Sequence, residues 1–278
     1  MINLFSAETY RYLQNKLQNL NSEFTIGEIE TCKFPDGEIY HRIINPEKIR
    51  NRPAVLISGT ISDAAVMETY NLACELVGQQ CSSLHLVIPY FGYSTMERAV
   101  RVGEVVPAKN IARLLSTIPL SAQGNFIYLI DLHSLGVQYY FEGSVHTVHL
   151  TSEPVIRRIV AELGAETVLA STDMGRAKWI EKMSQRLNLE SAYLMKERLS
   201  GSQTRVVALS ANVRGRDVAI YDDMIRSGSS IINAARAYKE AGARKIYVLT
   251  THGVFVPGAL ENICLLYTSP SPRDLSTS

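Results

Sequence analysis

The sequence predicts an α/β protein of two domains, each a mostly parallel sheet flanked by helices. Three observations carry this reading. Short apolar, β-branched runs alternate with longer amphipathic stretches, which is how a parallel sheet covered on both faces is written. The chain has 278 residues, enough for one large or two ordinary α/β domains with real cores. The turn-rich stretch PLSAQGN at 119–125 comes before a strand that still belongs with what precedes it. The boundary is therefore expected at about 148–152, giving domains 1–148 and 149–263.

In chain order, strands are expected at 54–58 (AVLIS), 84–88 (LHLVI), 126–130 (FIYLI), 167–171 (TVLAS), 206–209, 217–221 (DVAIY) and 246–250 (IYVLT). Helices are expected near 63–78, 107–117, 152–163, 175–187 and 229–241. The last has Ser229 and Ser230 as cap candidates and stops at Gly242, a normal start and stop pair. Its apolar residues Ile231, Ala235 and Tyr238 recur at helical spacing, so that face is core. From about Cys264 the sequence CLLYTSPSPRDLSTS carries no core-facing pattern. It reads as a non-native tail, 264–278, on a chain shortened at its C-terminus.

Lys and Arg number 28 against 27 Asp and Glu. That balance gives no electrostatic footprint for nucleic acid or an acidic membrane, but leaves room for a local cluster that binds a phosphorylated small molecule. Cys32, Cys74, Cys81 and Cys264 form no C-x-x-C pair, as in a protein of a reducing compartment. The start MINLFSAETYRYLQNKL lacks a basic-then-apolar leader, and no apolar run approaches the roughly 18–20 residues that span a bilayer. A cytoplasmic protein is expected.

Ligands of parallel α/β sheets bind beyond the carboxyl ends of the strands. Three strands here end in acids: Asp131 with His133, Asp173, and Asp222 with Asp223. A single acid such as Asp173 is readily a helix cap; three such ends, one with an adjacent pair, are more than capping requires. The most informative segment is VAIYDDMIRSGSS at 218–230. A hydrophobic strand delivers two carboxylates, then a small-residue loop, then a helix N-terminus. Carboxylates accept hydrogen bonds from vicinal sugar hydroxyls, and loop and helix N–H groups hold a phosphate. The helix dipole adds about 0.3–1 kcal/mol of favourable interaction.

This segment resembles the phosphoribosyl diphosphate motif shared by type I phosphoribosyltransferases and ribose-phosphate diphosphokinases. KFPDGEIYHRI (33–43), VIPYFGYSTMERAVRVGEVVPAKNIARLL (87–115), DLHSLGVQYYF (131–141), STDMGRAK (171–178), MKER (195–198) and TTHGVF (250–255) are similar, in the same order, to segments of the kinase. The resemblance covers roughly 25–263. It implies two phosphoribosyltransferase-type domains, Mg2+ as cofactor, ATP and ribose 5-phosphate as substrates, and a homo-oligomer, dimer or hexamer.

The resemblance also implies roles. Asp36, Gly37 and Glu38 match a loop that reaches ATP on a neighbouring subunit, although alone they read as a tight turn. His133 and Asp173 match residues that hold magnesium with the ATP phosphates, and Asp131 is placed to orient the His133 imidazole. Lys196 and Arg198 match the basic pair of a mobile catalytic loop, where two surface cations would otherwise read as solvated charge. Asp222 and Asp223 match the ribose-binding pair, and Arg226, Ser227, Gly228, Ser229 and Ser230 the 5-phosphate loop. The implied reaction is an in-line displacement at the β-phosphorus of ATP, driven by positioning and electrostatics.

The chain departs from the family pattern in several places. Thr95 and Met96 stand where an Arg-Gln pair usually holds the adenine end, with Arg98 close by as a substitute. Arg226 replaces an Asp of the phosphate loop, and Arg176 replaces a Gly of the Asp173 turn. These departures leave two competing readings: a non-catalytic regulatory homologue that co-assembles with active subunits, and a phosphoribosyltransferase.

Overall fold

Buried and half-exposed residues alternate along Leu84–Ile88: Leu84, Leu86 and Ile88 are buried, while His85 and Val87 are partly exposed. A period of two is what a pleated strand with one face on a core demands. The same alternation recurs in Asn125–Ile130. The computed structural model of the protein describes residues 1–200 and 203–264, and for 196–200 and 203–207 their backbone only. The chain divides into two compact units, Met1–Thr151 and Ser152–Ser278.

The N-terminal unit runs β1 (Ile2–Ser6), α1 (Arg11–Leu20), β2 (Phe24–Ile26), β3 (Ile29–Lys33), β4 (Ile39–Ile43), β5 (Ala54–Ile57), α2 (Asp63–Gly78), β6 (Leu84–Ile88), α3 (Pro107–Ser116), β7 (Asn125–Ile130) and β8 (Val145–Leu150). Six strands pair in parallel in the order β2-β1-β5-β6-β7-β8. The core joins Leu56, Leu86 and Ile127 of the sheet to Leu72 and Leu76 of α2 and Ala112 and Leu115 of α3. Helix α2 opens at Ser62, whose hydroxyl accepts the Ala65 N–H at 3.2 Å, satisfying one of the amides that a helix start leaves over. Strands β3 and β4 form a separate antiparallel hairpin.

The C-terminal unit runs α4 (Glu153–Glu162), β9 (Val168–Ser171), α5 (Ala177–Leu187), β10 (Glu190–Ala192), β11 (Leu194–Ser200), β12 (Gln203–Leu209), β13 (Val218–Ile225), α6 (Ser229–Glu240), β14 (Ile246–Gly253) and α7 (Ala259–Cys264). Its sheet, in the order β10-β9-β13-β14, is parallel throughout. Strand β13 feeds both faces. Val218 and Ile220 pack with Ile231, Ala235 and Tyr238 of α6; Ala219 and Tyr221 pack with Ile156 and Val160 of α4 and Ile180 and Met183 of α5. Polar tips inside this packing find partners. Tyr238 donates to the Ser171 carbonyl at 3.0 Å. Thr251 donates to Ser152 Oγ at 2.8 Å, and the Tyr221 hydroxyl lies 2.9 Å from Thr251 and 3.3 Å from Ser152.

All seven expected strands and all five expected helices are present, within a few residues of their predicted bounds. Three details differ. The segment expected as strand 206–209 is β12, which pairs antiparallel with β11 as a ribbon and not within the parallel sheet. Strand β13 does not stop at Tyr221; it pairs onward with β14 through Met224↔His252 and Ile225↔Gly253, so both acids lie within the strand. Helix α6 is capped by neither Ser229 nor Ser230. Its cap residue is Gly228, at φ 78° with no side-chain cap bond, and a Cβ there would sit 2.8 Å from Ile263 of α7. Left-handed backbone and a crowded neighbour both select glycine. Of the tail expected at 264–278, Cys264 is the last residue of α7, and 265–278 lies outside the described residues.

Candidate functional site

Strand β13 presents Asp222 half-buried and Asp223 almost wholly buried, at 1% exposure. Buried carboxylates are costly unless paired or hydrogen-bonded, and the turn between β9 and α5 supplies both kinds of partner. Thr172 donates to Asp222 Oδ2 at 3.2 Å. Arg176 Nη2 lies 2.6 Å from Asp223 Oδ2; the contact is one of charge, since no aligned hydrogen bond forms from that nitrogen. Asp222 also folds back on the main chain, its Oδ1 accepting the Asp223 N–H at 3.1 Å.

Burial pushes the Asp222 carboxyl up to about 7, helped by the hydrogen bond and charge of Asp223 and opposed by the Thr172 hydroxyl and the Arg176 charge. A carboxyl in that range holds a proton near neutrality and can donate as well as accept a hydrogen bond. Beyond the pair, the chain passes through exposed Arg226 and Ser227 to Gly228 and enters α6 at the exposed Ser229 and Ser230. Ser227 Oγ lies 3.0 Å from Ser229 Oγ and accepts the Ser229 N–H at 3.4 Å. A small-residue loop opening a helix N-terminus suits an anion.

Asp173 is half-buried and caps the turn Met174–Arg176, its Oδ1 accepting the Gly175 N–H at 2.8 Å. The turn after β9 thus brings Thr172 and Arg176, on either side of Asp173, to Asp222 and Asp223 of the neighbouring parallel strand, β9 and β13 pairing as far as Tyr221↔Ser171. Lys196 and Arg198 lie on β11, opposite Val206 and Thr204; their side chains lie outside the described residues.

The remaining candidates belong to the N-terminal unit. Asp36, Gly37 and Glu38 form the exposed tip of the β3–β4 hairpin. The tip is a tight turn: Asp36 Oδ1 accepts the Glu38 N–H at 3.1 Å, Phe34 and Glu38 pair at 2.8 Å, and Gly37 has φ 98°. Arg98 is exposed and lies 3.7 Å from Glu97. Asp131 is buried at the end of β7 with φ 45°, its N–H donating to the Leu150 carbonyl at 2.8 Å. A non-glycine residue held there is strained unless its surroundings fix it, and part of the fixing is nearby. His149 Nε2 accepts the Leu132 N–H at 3.1 Å. His149 is also held below the usual imidazole range by burial, against the pull of the Asp131 charge. His133 is exposed on the same loop.

Two residues here do not stand out in the sequence: Thr172 in the turn after β9, and His149 on β8. Thr172 adjoins the flagged Asp173, and VHTVHL at 145–150 carries a histidine at each apolar–polar switch; either signal was available. Arg176 was visible only as an oddity, because its partner is 47 positions away, at Asp223. Among the described residues no three His, Cys, Asp or Glu side chains gather as a metal-holding group. Magnesium is compatible with that, since it is usually held by one or two carboxylates with substrate phosphates and water. Also among the described residues, no helix is long and apolar enough to cross a membrane.

Comparison with known proteins agrees with this layout. The family described as the N-terminal domain of ribose phosphate pyrophosphokinase matches residues 2–118, and the phosphoribosyl synthetase-associated domain matches 166–265. Ribose-phosphate pyrophosphokinase of Thermotoga maritima is 32% identical over 268 residues, covering 94% of this chain and 82% of that protein. The enzyme of the same name from Pyrococcus abyssi is 30% identical over 255 residues, covering 89% and 86%. A crystal structure of phosphoribosylpyrophosphate synthetase from Mycobacterium smegmatis superposes with a TM-score of 0.80 at 24% identity, over 94% of this chain and 84% of that one. It supports the fold: mostly parallel sheets flanked by helices.

Proposed function

Because this chain belongs to the ribose-phosphate pyrophosphokinase family, we propose that it transfers the diphosphate of ATP to the 1-hydroxyl of ribose 5-phosphate. The products are phosphoribosyl diphosphate and AMP. The observation that carries the reading is the acid pair Asp222 and Asp223 within β13, followed directly by the loop 226–228 and the N-terminus of α6. Acids suit a sugar diol; loop and helix amides suit its 5-phosphate.

In this reading Asp222 and Asp223 fix the ribose, and Arg226 through Ser230 hold the phosphate. The 1-hydroxyl attacks the β-phosphorus, the bond to the α-phosphate oxygen breaks, and AMP leaves. Lys196 and Arg198 neutralise charge on the transferring group, which is where most catalysis of phosphoryl transfer lies. Asp173 and His133 are each proposed as ligands of Mg2+ carried on ATP, with Asp131 behind His133. Magnesium would supply charge neutralisation on the phosphates. Arg98 and the Asp36–Glu38 tip serve the nucleotide, the tip on a neighbouring copy, so a homo-oligomer in the cytoplasm is part of the proposal.

One observation favours a second reading, a regulatory homologue without turnover: Asp223 already has a protein cation against it. Incubation with Mg-ATP and ribose 5-phosphate separates the two. AMP and phosphoribosyl diphosphate in equal amounts support the enzyme. ATP binding with no AMP above background supports the regulatory subunit and overturns the proposal.

A further inference from the structure

Both carboxylates of β13 are addressed by one short turn. Strand β9 ends at Ser171 while β13 continues to Ile225, so the chain leaving β9 is free to fold back over the acids. It does so through the Asp173-capped turn, and the residue before the cap and the last residue of the turn divide the work. Thr172 takes Asp222, and Arg176 takes Asp223. The two contacts differ in kind. A hydroxyl bond to a half-buried carboxylate is exchangeable for one from a ligand, whereas Arg176 (18% exposed) and Asp223 (2% exposed by side chain) form a largely enclosed pair. Separating such a pair leaves an uncompensated buried charge.

From this we infer that Arg176 is a positioning residue: it commits Asp223 to an internal ion pair and leaves Asp222 as the carboxylate that meets the sugar diol. The inference rests on the reading of β13 as the ribose-binding strand. Arg176 acts through Asp223 and touches no substrate atom. Its presence where a glycine was expected then sets how the two acids share the sugar: Asp222 contacts it, and Asp223 holds Asp222 and the strand in place.

The test is a set of calorimetric affinities for ribose 5-phosphate in the intact protein, with thermal melts of each variant. Arg176→Gln should weaken binding by about tenfold, roughly the effect of 1.4 kcal/mol. Arg176→Lys should recover most of the loss, because the contact with Asp223 is one of charge and the charge returns. In an Asp223→Asn background, Arg176→Gln should change affinity by less than about twofold, since the partner through which it acts is gone. Asp222→Asn should lose more affinity than Asp223→Asn.

Full additivity of the Arg176 and Asp223 changes overturns the inference. So does a lowered melting temperature of Arg176→Gln with its ribose 5-phosphate affinity intact. Product formation by the unaltered protein is scored separately. A protein that binds ribose 5-phosphate without making product refutes the proposed activity, while the affinities still decide the role of Arg176.

Discussion

Asp222→Asn isolates the free energy stored in the acid pair. The Asp222 carboxyl moves from 3.8 to about 7, chiefly through burial. At about 1.4 kcal/mol per unit, a rise of roughly three units sets a ceiling near 4 kcal/mol. About half of that is the expected value, because the group keeps some solvent contact and shares its surroundings with Asp223. The sign follows from proton counts. Between about pH 4 and pH 7 the folded chain keeps a proton that the unfolded chain has released, so stability falls as pH rises. Below pH 4 both states are neutral there, and above pH 7 both are ionised with the penalty fully present.

Asparagine keeps the shape and removes the titration. The stability of the unaltered protein minus that of Asp222→Asn should therefore drop by about 2 kcal/mol, and by no more than about 4, from pH 4 to pH 7.5, nowhere steeper than about 1.4 kcal/mol per pH unit. Urea unfolding followed by tryptophan fluorescence reads this locally. The chain has one tryptophan, and Trp179 stacks on Tyr221, next to the acid, with ring centroids 4.3 Å apart. A difference independent of pH, or one that grows with pH, refutes the reasoning.

Three further outcomes are expected. Gly92→Ala places a Cβ into the Thr60 carbonyl, a rigid neighbour, and should cost the N-terminal unit about 1–3 kcal/mol or more in urea unfolding followed by circular dichroism. Tyr238→Phe removes the donor to the Ser171 carbonyl and should lower C-terminal stability by about 1 kcal/mol by Trp179 fluorescence. Lys196→Ala and Arg198→Ala should each reduce turnover by on the order of 10²–10³ while leaving nucleotide binding mostly intact; lost ATP affinity with normal turnover would show that the roles are misassigned.

The parts of the fold most legible in the sequence are those whose partners are uniform. AVLIS, LHLVI and FIYLI announce themselves because their buried faces are mostly apolar and join one core cluster. The hairpin β3–β4 escaped notice because its residues are mostly exposed and follow no alternation. Strand β8, VHTVHL, did too, being half-exposed along most of its length. The early end assigned to β13 has a different cause. Local polarity at Asp222 and Asp223 reads as a turn, but pairing with β14 supplies backbone hydrogen bonds that a single sequence window does not contain. Tertiary context overrides propensity there.

At the site, residue identity was legible and partnership was not. The motif at 218–230 points to acids, loop and helix from adjacent letters. The ion pair of Arg176 with Asp223 and the hydroxyl of Thr172 on Asp222 arise from strand order β9-β13. No spacing rule along the chain encodes that order, and so an arginine in a glycine position could be noticed but not explained.

The three hydroxyls of Ser152, Tyr221 and Thr251 bear on how the C-terminal half can be handled by itself. Ser152 is the first residue of its unit, yet its oxygen accepts from Thr251 and sits beside the phenol of a wholly enclosed tyrosine. A fragment begun at the helix itself, at Glu153, would take away that oxygen, so that Thr251 loses its acceptor and the Tyr221 hydroxyl one of its polar neighbours. Fragments for dissection are therefore best started a few residues upstream, so that the chain enters with this small knot already tied.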